Sequence, residues 1–296
     1  MRKTIESLFT PPEPHWVGNG FPVRSLFNYA EHGARISPFL LLDHAGPTEF
    51  APGNERRGVG AHPHRGFETV TIVYAGEVAH RDSCGAGGTI GPDEVQWMTA
   101  AGGLLHDEFH TEAFTRRGGP LEMVQLWVNL PARHKMDAPH YQALTRADIP
   151  EVALPGGAGV LRVIAGDYAG HAGAAQTYTP INLWDMRLRR GGKVDLTLPE
   201  GHTLMLLMRK GSVRVEGERA HAGQLLQLSR SGTGLALQAL TDAELLLMGG
   251  EPIAEPVAGY GPFVMNTRAE LTQAFEDFNA GKFGQMPASA DAALAH

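Results

Sequence analysis

Short runs of Val, Ile, Leu, Thr and aromatic residues, each cut off by Gly, Pro or Asp, recur along almost the whole chain, and only one stretch carries a helical period. Residues 69–74, 121–128, 159–164, 204–208 and 234–240 are such runs. Short strands at this spacing, with no helices between them, argue for a sandwich or barrel, which closes or protects the edges of its sheets. The exception follows Thr267, where Leu271, Phe275 and Phe278 recur at helical spacing, and predicts a helix over Arg268–Asn279 with Thr267 as its cap.

At 296 residues the chain is about twice a common domain length of roughly 150, and its halves resemble distant copies of one unit. Tyr74-Ala75-Gly76-Glu77-Val78 and Arg209-Lys210-Gly211-Ser212-Val213 each follow an apolar run and place a turn glycine at the same point. The expected division is a first barrel over 1–132, a polar linker over 133–145, a second barrel over 146–260 and a C-terminal segment over 261–296. That last segment holds the helix and, after Gly284, an alanine-rich tail expected to be loosely ordered.

Two pairs of side chains carry the chemistry. His62 and His64 flank Pro63, and His106 and Glu108 follow the glycine turn Gly102-Gly103. On an extended strand, residues i and i+2 leave the same face, so two such pairs on neighbouring strands can converge on one ion. Three neutral nitrogens and one carboxylate suit divalent iron, manganese, nickel, copper or zinc, and suit calcium or magnesium poorly. Around zinc in a closed tetrahedron the same four would make a structural site. Around an octahedral ion they leave positions for a substrate.

Glu68, beyond Gly66, is left open between a ligand and a partner that orients a ligand histidine. His110 is expected at the rim. His80, His134, His140, His202 and His221 show no partner pattern and read as ordinary surface or hydrogen-bonded histidines, and Trp97, Met98 and Trp127 as core packing rather than pocket lining. Aligning Gly76 with Gly211 sets His62, His64 and Glu68 against Thr197, Pro199 and Thr203, none of which replaces an imidazole or carboxylate, so the second barrel is expected to be metal-free.

A net charge of −7 with no Lys/Arg run gives no broad positive field, which disfavours nucleic acid and anionic membranes as partners. The lone Cys84 forms no intramolecular bridge and reads as inert. The first twelve residues lack the apolar core of a signal peptide, and no apolar run approaches the roughly 20 residues that span a bilayer. A cytoplasmic protein is expected.

His62-Pro63-His64-Arg65-Gly66-Phe67-Glu68-Thr69-Val70 and Gln96-Trp97-Met98-Thr99-Ala100, followed by Gly103-Leu104-Leu105-His106-Asp107-Glu108, resemble the two signature segments of the pirins, a branch of the cupin superfamily. Gln125-Leu126-Trp127-Val128-Asn129-Leu130, Gly249-Gly250-Glu251-Pro252 and Gly261-Pro262-Phe263-Val264-Met265-Asn266-Thr267 extend the resemblance over nearly the whole chain. It implies an all-β fold of two tandem cupin (jelly-roll-like β-barrel) domains with a short C-terminal helix. It also implies a non-haem metal, usually Fe(II), at His62, His64, His106 and Glu108. Two activities are implied. One is dioxygenase cleavage of a flavonol such as quercetin, with dioxygen as co-substrate; in that reading Glu108 accepts the substrate's hydroxyl proton if it loosens from the metal. The other is a metal-dependent interaction module acting on a protein partner, a transcriptional co-regulator or a partner of a metabolic enzyme, without turnover.

Overall fold

The computed structural model describes residues 1–287, so the expected loose tail lies, from residue 288 on, outside the described residues. Apart from the Arg268–Asn279 helix and a few one-turn helices, the elements are antiparallel strands, gathered into two compact units.

One unit comprises Pro14–Arg24, Leu42–Thr145 and Ala254–His296. Its larger sheet has seven strands in the order His140–Leu144, Val95–Thr99, Phe67–Ala75, Gly119–Asn129, Phe39–Phe50, Phe21–Asn28 and His15–Val17, of which residues 39–41 and 25–28 fall outside the unit's bounds. Its smaller sheet has four, in the order Gly58–His64, Leu104–His110, Val78–Asp82 and Gly87–Ile90. Val73, Leu121 and Met123 of the larger sheet share one apolar cluster with Val78 and Ile90 of the smaller, the face-to-face packing of a jelly roll.

The other unit comprises Met1–Glu13, Ser25–Leu41 and Arg146–Ile253. It repeats the plan, with a seven-stranded sheet and a four-stranded sheet ordered Lys193–Thr197, Gly234–Ala239, Ser212–Val215 and Glu218–His221. Gly76 and Gly211 occupy the same turn in the two units, with φ of 85° and 72°. A Cβ at Gly211 would also stand 2.1 Å from the Asp242 carbonyl oxygen, so glycine is required there. Where the first unit gathers histidines, this one fills its interior with Leu196, Leu206, Leu235, Leu237, Leu245 and Leu247. Each fully buried leucine contributes about 1.5–3 kcal/mol, without the cost of burying an imidazole.

The units are not contiguous in sequence, which corrects the expected boundaries. Ile5–Phe9 pairs with Leu225–Leu228, from Ile5 opposite Leu228 to Phe9 opposite Leu225, so the N-terminal strand belongs with the 146–253 unit. The expected linker over 133–145 is no linker either. His140–Leu144 pairs with Val95–Thr99 as an edge strand, and an edge strand with one face to water is polar enough to resemble a linker.

The C-terminal helix forms over Arg268–Asn279, with a reciprocal capping box between Thr267 and Glu270. Leu271, Phe275 and Phe278 pack with Phe263, Ala274 and Phe283 against Leu105, one residue from His106. Arg65, the residue after His64, is tied to the helix by a buried ion pair with Asp277 at 2.8 Å. No helix among the described residues is long and apolar enough to cross a membrane.

Candidate metal centre

Three strands of the small sheet build the site. Gly58–His64 lies on one side of Leu104–His110 with His62 opposite His106 and His64 opposite Leu104, and Val78–Asp82 lies on the other with His80 opposite Glu108. The register slips between His106 and Glu108, so that Glu108 faces Val59 across a β-bulge, a device that re-aims side chains beside a site.

The ligand atoms fall into two triads that share His106. Those of His62, His64 and His106 lie within 4.8 Å of one another, and so do those of His80, His106 and Glu108. Ring centroids are separated by 4.2 Å for His62 and His106, 4.9 Å for His64 and His106, and 5.1 Å for His80 and His106. His80, expected as a surface or hydrogen-bonded histidine, is buried and hydrogen-bonded, and its place beside the site was not read from sequence. The signal was present, because His80 and Asp82 repeat the i, i+2 alternation of the two pairs that were.

Burial pushes the His64 and His106 pKa values well below the ordinary histidine range, and the neighbouring imidazoles push the same way. Both rings are therefore neutral at neutral pH, the form that binds a cation. His62 Nδ1 donates to the Gly60 carbonyl at 2.9 Å, which leaves its Nε2 lone pair free. His64 Nδ1 and His106 Nε2 are buried with no hydrogen-bond partner. Orphaned nitrogens are costly in a protein interior unless something fills their lone pairs. Three imidazoles beside a carboxylate fit a divalent transition ion on this observation.

Glu108 is 4% exposed, and its charge is met by three donors. Oε1 accepts from Gln96 Nε2 and, at 3.2 Å, from Thr71 Oγ1, while Oε2 accepts from Gln125 Nε2 at 2.9 Å. None of these donors was singled out from sequence, since glutamine and threonine carry no ligand signature.

Glu68 stands apart from both triads and accepts from Thr99 Oγ1 at 2.7 Å. Burial pushes its carboxyl up to about 7, and the Thr99 hydrogen bond offsets only part of that. The folded protein therefore takes up a proton between pH 4.5 and 7 that the unfolded chain has lost, so Glu68's contribution to stability falls as pH rises through that window. Glu68→Gln is expected to stabilise the metal-free protein by about 3 kcal/mol at pH 8 and to have little effect at pH 4, read by denaturant unfolding at both. Equal effects at the two pH values would contradict this.

The remaining sequence expectations divide. Trp97 and Met98 are fully buried core residues, whereas Trp127 stands edge-on to His64 at 5.3 Å and packs at a tilt of 32° against Phe67 at 4.3 Å. His110 is not at a rim. It is 4% exposed, boxed by Phe21, Phe50 and Phe114, and bonded through Nε2 to the Gly20 carbonyl at 2.9 Å. His134 pairs with Asp137, and Cys84 is exposed.

A recess of about 30 Å³ reaches the site, lined by the polar His62, Glu108, Gln125 and Asp43 and by apolar residues that include Phe21, Val59 and Met123. Polar and apolar side chains share its lining, as in small-molecule sites, which run to roughly 300–1,000 Å³.

Comparison with known proteins agrees with this architecture. Residues 20–128 match the pirin family model, and residues 183–284 match that of the pirin C-terminal cupin domain. A Pseudomonas aeruginosa protein provisionally named a quercetin 2,3-dioxygenase is 56% identical over 95% of this chain and 98% of its own length. A pirin-like protein of Caulobacter vibrioides is 40% identical over 84% of this chain and 88% of its own. The crystal structure of a quercetin 2,3-dioxygenase from Acinetobacter baumannii superposes with a TM-score of 0.94 at 51% identity, covering 96% of this chain and 99% of that one.

Proposed function

The chain belongs to the pirin family, and from that premise we propose that it is a metal-dependent dioxygenase that opens the central ring of a flavonol, with Fe(II) held by His62, His64, His106 and Glu108. The observation that carries this reading is two buried imidazoles with orphaned nitrogens, His64 and His106, beside His62 and Glu108, which line a recess. A divalent ion there would supply Lewis acidity toward the hydroxyl and carbonyl oxygens of a flavonol and an electron source for dioxygen. The rest is the work of the protein's own side chains. Phe21, Val23, Val59 and Met123 present apolar surface to an aromatic ring and exclude water. Glu108, loosened from the ion, would accept the substrate's hydroxyl proton, its carboxylate aimed by Thr71, Gln96 and Gln125. The test is anaerobic loading with iron, followed by loss of flavonol absorbance and release of carbon monoxide under oxygen. Absence of turnover with iron, manganese, nickel, copper and zinc alike would remove the reading.

Glu108→Gln probes the base. The variant loses the anion, and its amide NH₂ must confront Gln96 or Gln125, each of which already donates. Metal content is expected to fall only in part, while kcat falls by about 10²-fold or more, the scale of general-base catalysis. Full turnover in that variant would contradict the assignment.

The size of the recess favours a second reading. About 30 Å³ admits a water-sized group, so a flavonol enters only as the walls part, whereas a metal-dependent docking module needs no such movement. Partner capture that is equal for the native protein and for His62→Ala would count against a metal-gated interaction.

A further inference from the structure

We propose that Asp82 and His80 act as a relay that fixes which nitrogen of His106 carries its proton, and so holds the other ready for the ion. The purpose of the relay rests on the metal reading above; its geometry does not. The hydrogen-bond chain can be followed from its unambiguous end. Asp82 is buried, and its Oδ1 accepts from the backbone N–H groups of Cys84 at 2.9 Å and Ala86 at 3.0 Å. Its Oδ2 lies 3.4 Å from His80 Nε2, the long end of hydrogen-bond range. A carboxylate only accepts, so His80 carries a proton on Nε2, and in the neutral ring its Nδ1 presents a lone pair. That lone pair faces His106 Nδ1 at 3.2 Å. Two lone pairs would repel at this distance, so His106 carries its proton on Nδ1 and donates it. Its Nε2 is left as an acceptor, and this is the buried nitrogen that has no partner, beside the rings of His62 and His64.

Position and occupancy both separate His80 from a ligand. Tyr141 stacks on its ring at 4.9 Å with the planes 10° apart, which fixes the ring plane from the side of the edge strand. Both of its nitrogens are engaged, one by Asp82 and the other by His106, so neither offers a lone pair to an ion. His80 and Asp82 are positioning residues for His106, a partner arrangement whose loss ordinarily costs about 10–100-fold in metal affinity.

Asp82→Asn makes the relay testable, because it should run the chain backwards. The Cys84 and Ala86 N–H groups still require an oxygen at the Oδ1 position, so the new amide nitrogen takes the place of Oδ2 and donates to His80 Nε2. His80 must then carry its proton on Nδ1 and donate to His106 Nδ1, which moves the His106 proton to Nε2 and blocks the atom meant for the ion. Long-range ¹⁵N spectra of the metal-free protein read this directly. The expected result is a His106 Nδ1–H tautomer in the native protein and Nε2–H in Asp82→Asn, with nickel(II) affinity lowered about 10–100-fold at an unchanged stoichiometry of one. His80→Phe keeps the stack on Tyr141 and removes the relay, and in that background Asp82→Asn should have no further effect on affinity. An Nε2–H tautomer in the native protein, or an unchanged tautomer in Asp82→Asn, would overturn the relay. Loss of stoichiometric nickel in His80→Phe would make His80 a ligand and overturn it equally. Failure of the native protein to bind nickel would tell against the metal reading alone, while the spectra still decided the relay.

Discussion

His106→Ala is expected to weaken metal binding by about 10²–10³-fold, so that most metal is lost on dialysis and the rise of Tm on adding metal shrinks. His106 is the member common to both triads and lies directly opposite His62 in the sheet. His62, His64 and Glu108 would be left to hold the ion, and His80 sits with His106 and Glu108 rather than with His62 and His64. An apparent binding free energy of roughly 10–16 kcal/mol shared among four ligands gives about 2.5–4 kcal/mol for each, or about 10²–10³-fold in affinity. The metal-free variant should stay folded, because the imidazole removed is a desolvated group with an orphaned nitrogen rather than part of an apolar cluster. Elemental analysis after dialysis gives the first quantity, and melting curves with metal or chelator give the second. Native metal content in this variant would mean that the cation sits elsewhere.

The alternation rule made His62, His64 and His106 legible, because a side chain two residues along a strand returns to the same face whatever the sheet does around it. It also carried enough information to reach His80 and Asp82, which went unread because neither falls within a recognised signature. The helix was legible from Leu271, Phe275, Phe278 and the Thr267 cap, which are local features. What stayed hidden is non-local. Nothing within Ile5–Phe9 says that its partner is Leu225–Leu228, more than two hundred residues away. The donors around Glu108 are ordinary strand residues until the register of three separate strands is known. His110 looked like a continuation of the His106 and Glu108 face, yet the aromatic box of Phe21, Phe50 and Phe114 that encloses it comes largely from elsewhere in the chain.

Lys135 is the sharpest instance of a residue misjudged from its surroundings in sequence, and its removal should be the most damaging single change to the fold. It lies in a polar stretch that reads as a linker, yet it is 1% exposed. Its Nζ donates to the Gly66 carbonyl at 2.7 Å, to Asn129 Oδ1 at 2.6 Å and to the Val264 carbonyl at 2.9 Å. Burial pushes its pKa down to about 7, while three acceptors take up the three N–H bonds of the ammonium form. Those acceptors lie where the chain turns just past His64. Gly66, at φ 89°, comes so close to the Val264 carbonyl that an added Cβ would stand 2.0 Å from its oxygen. Lys135→Met fills the same volume with a thioether and leaves all three oxygens unpaired in the interior. At about 1–3 kcal/mol for each orphaned group, partly relieved by rearrangement, the loss should be about 3–5 kcal/mol, or about 10 °C in Tm for a unit of this size. Denaturant unfolding of the metal-free protein measures it without interference from the site. A loss below about 1 kcal/mol would show that water satisfies the three oxygens and that the segment is as loosely held as its composition suggests. If the full loss is seen, weakened metal binding should accompany it, because the Gly66 carbonyl that Lys135 anchors is two residues from His64.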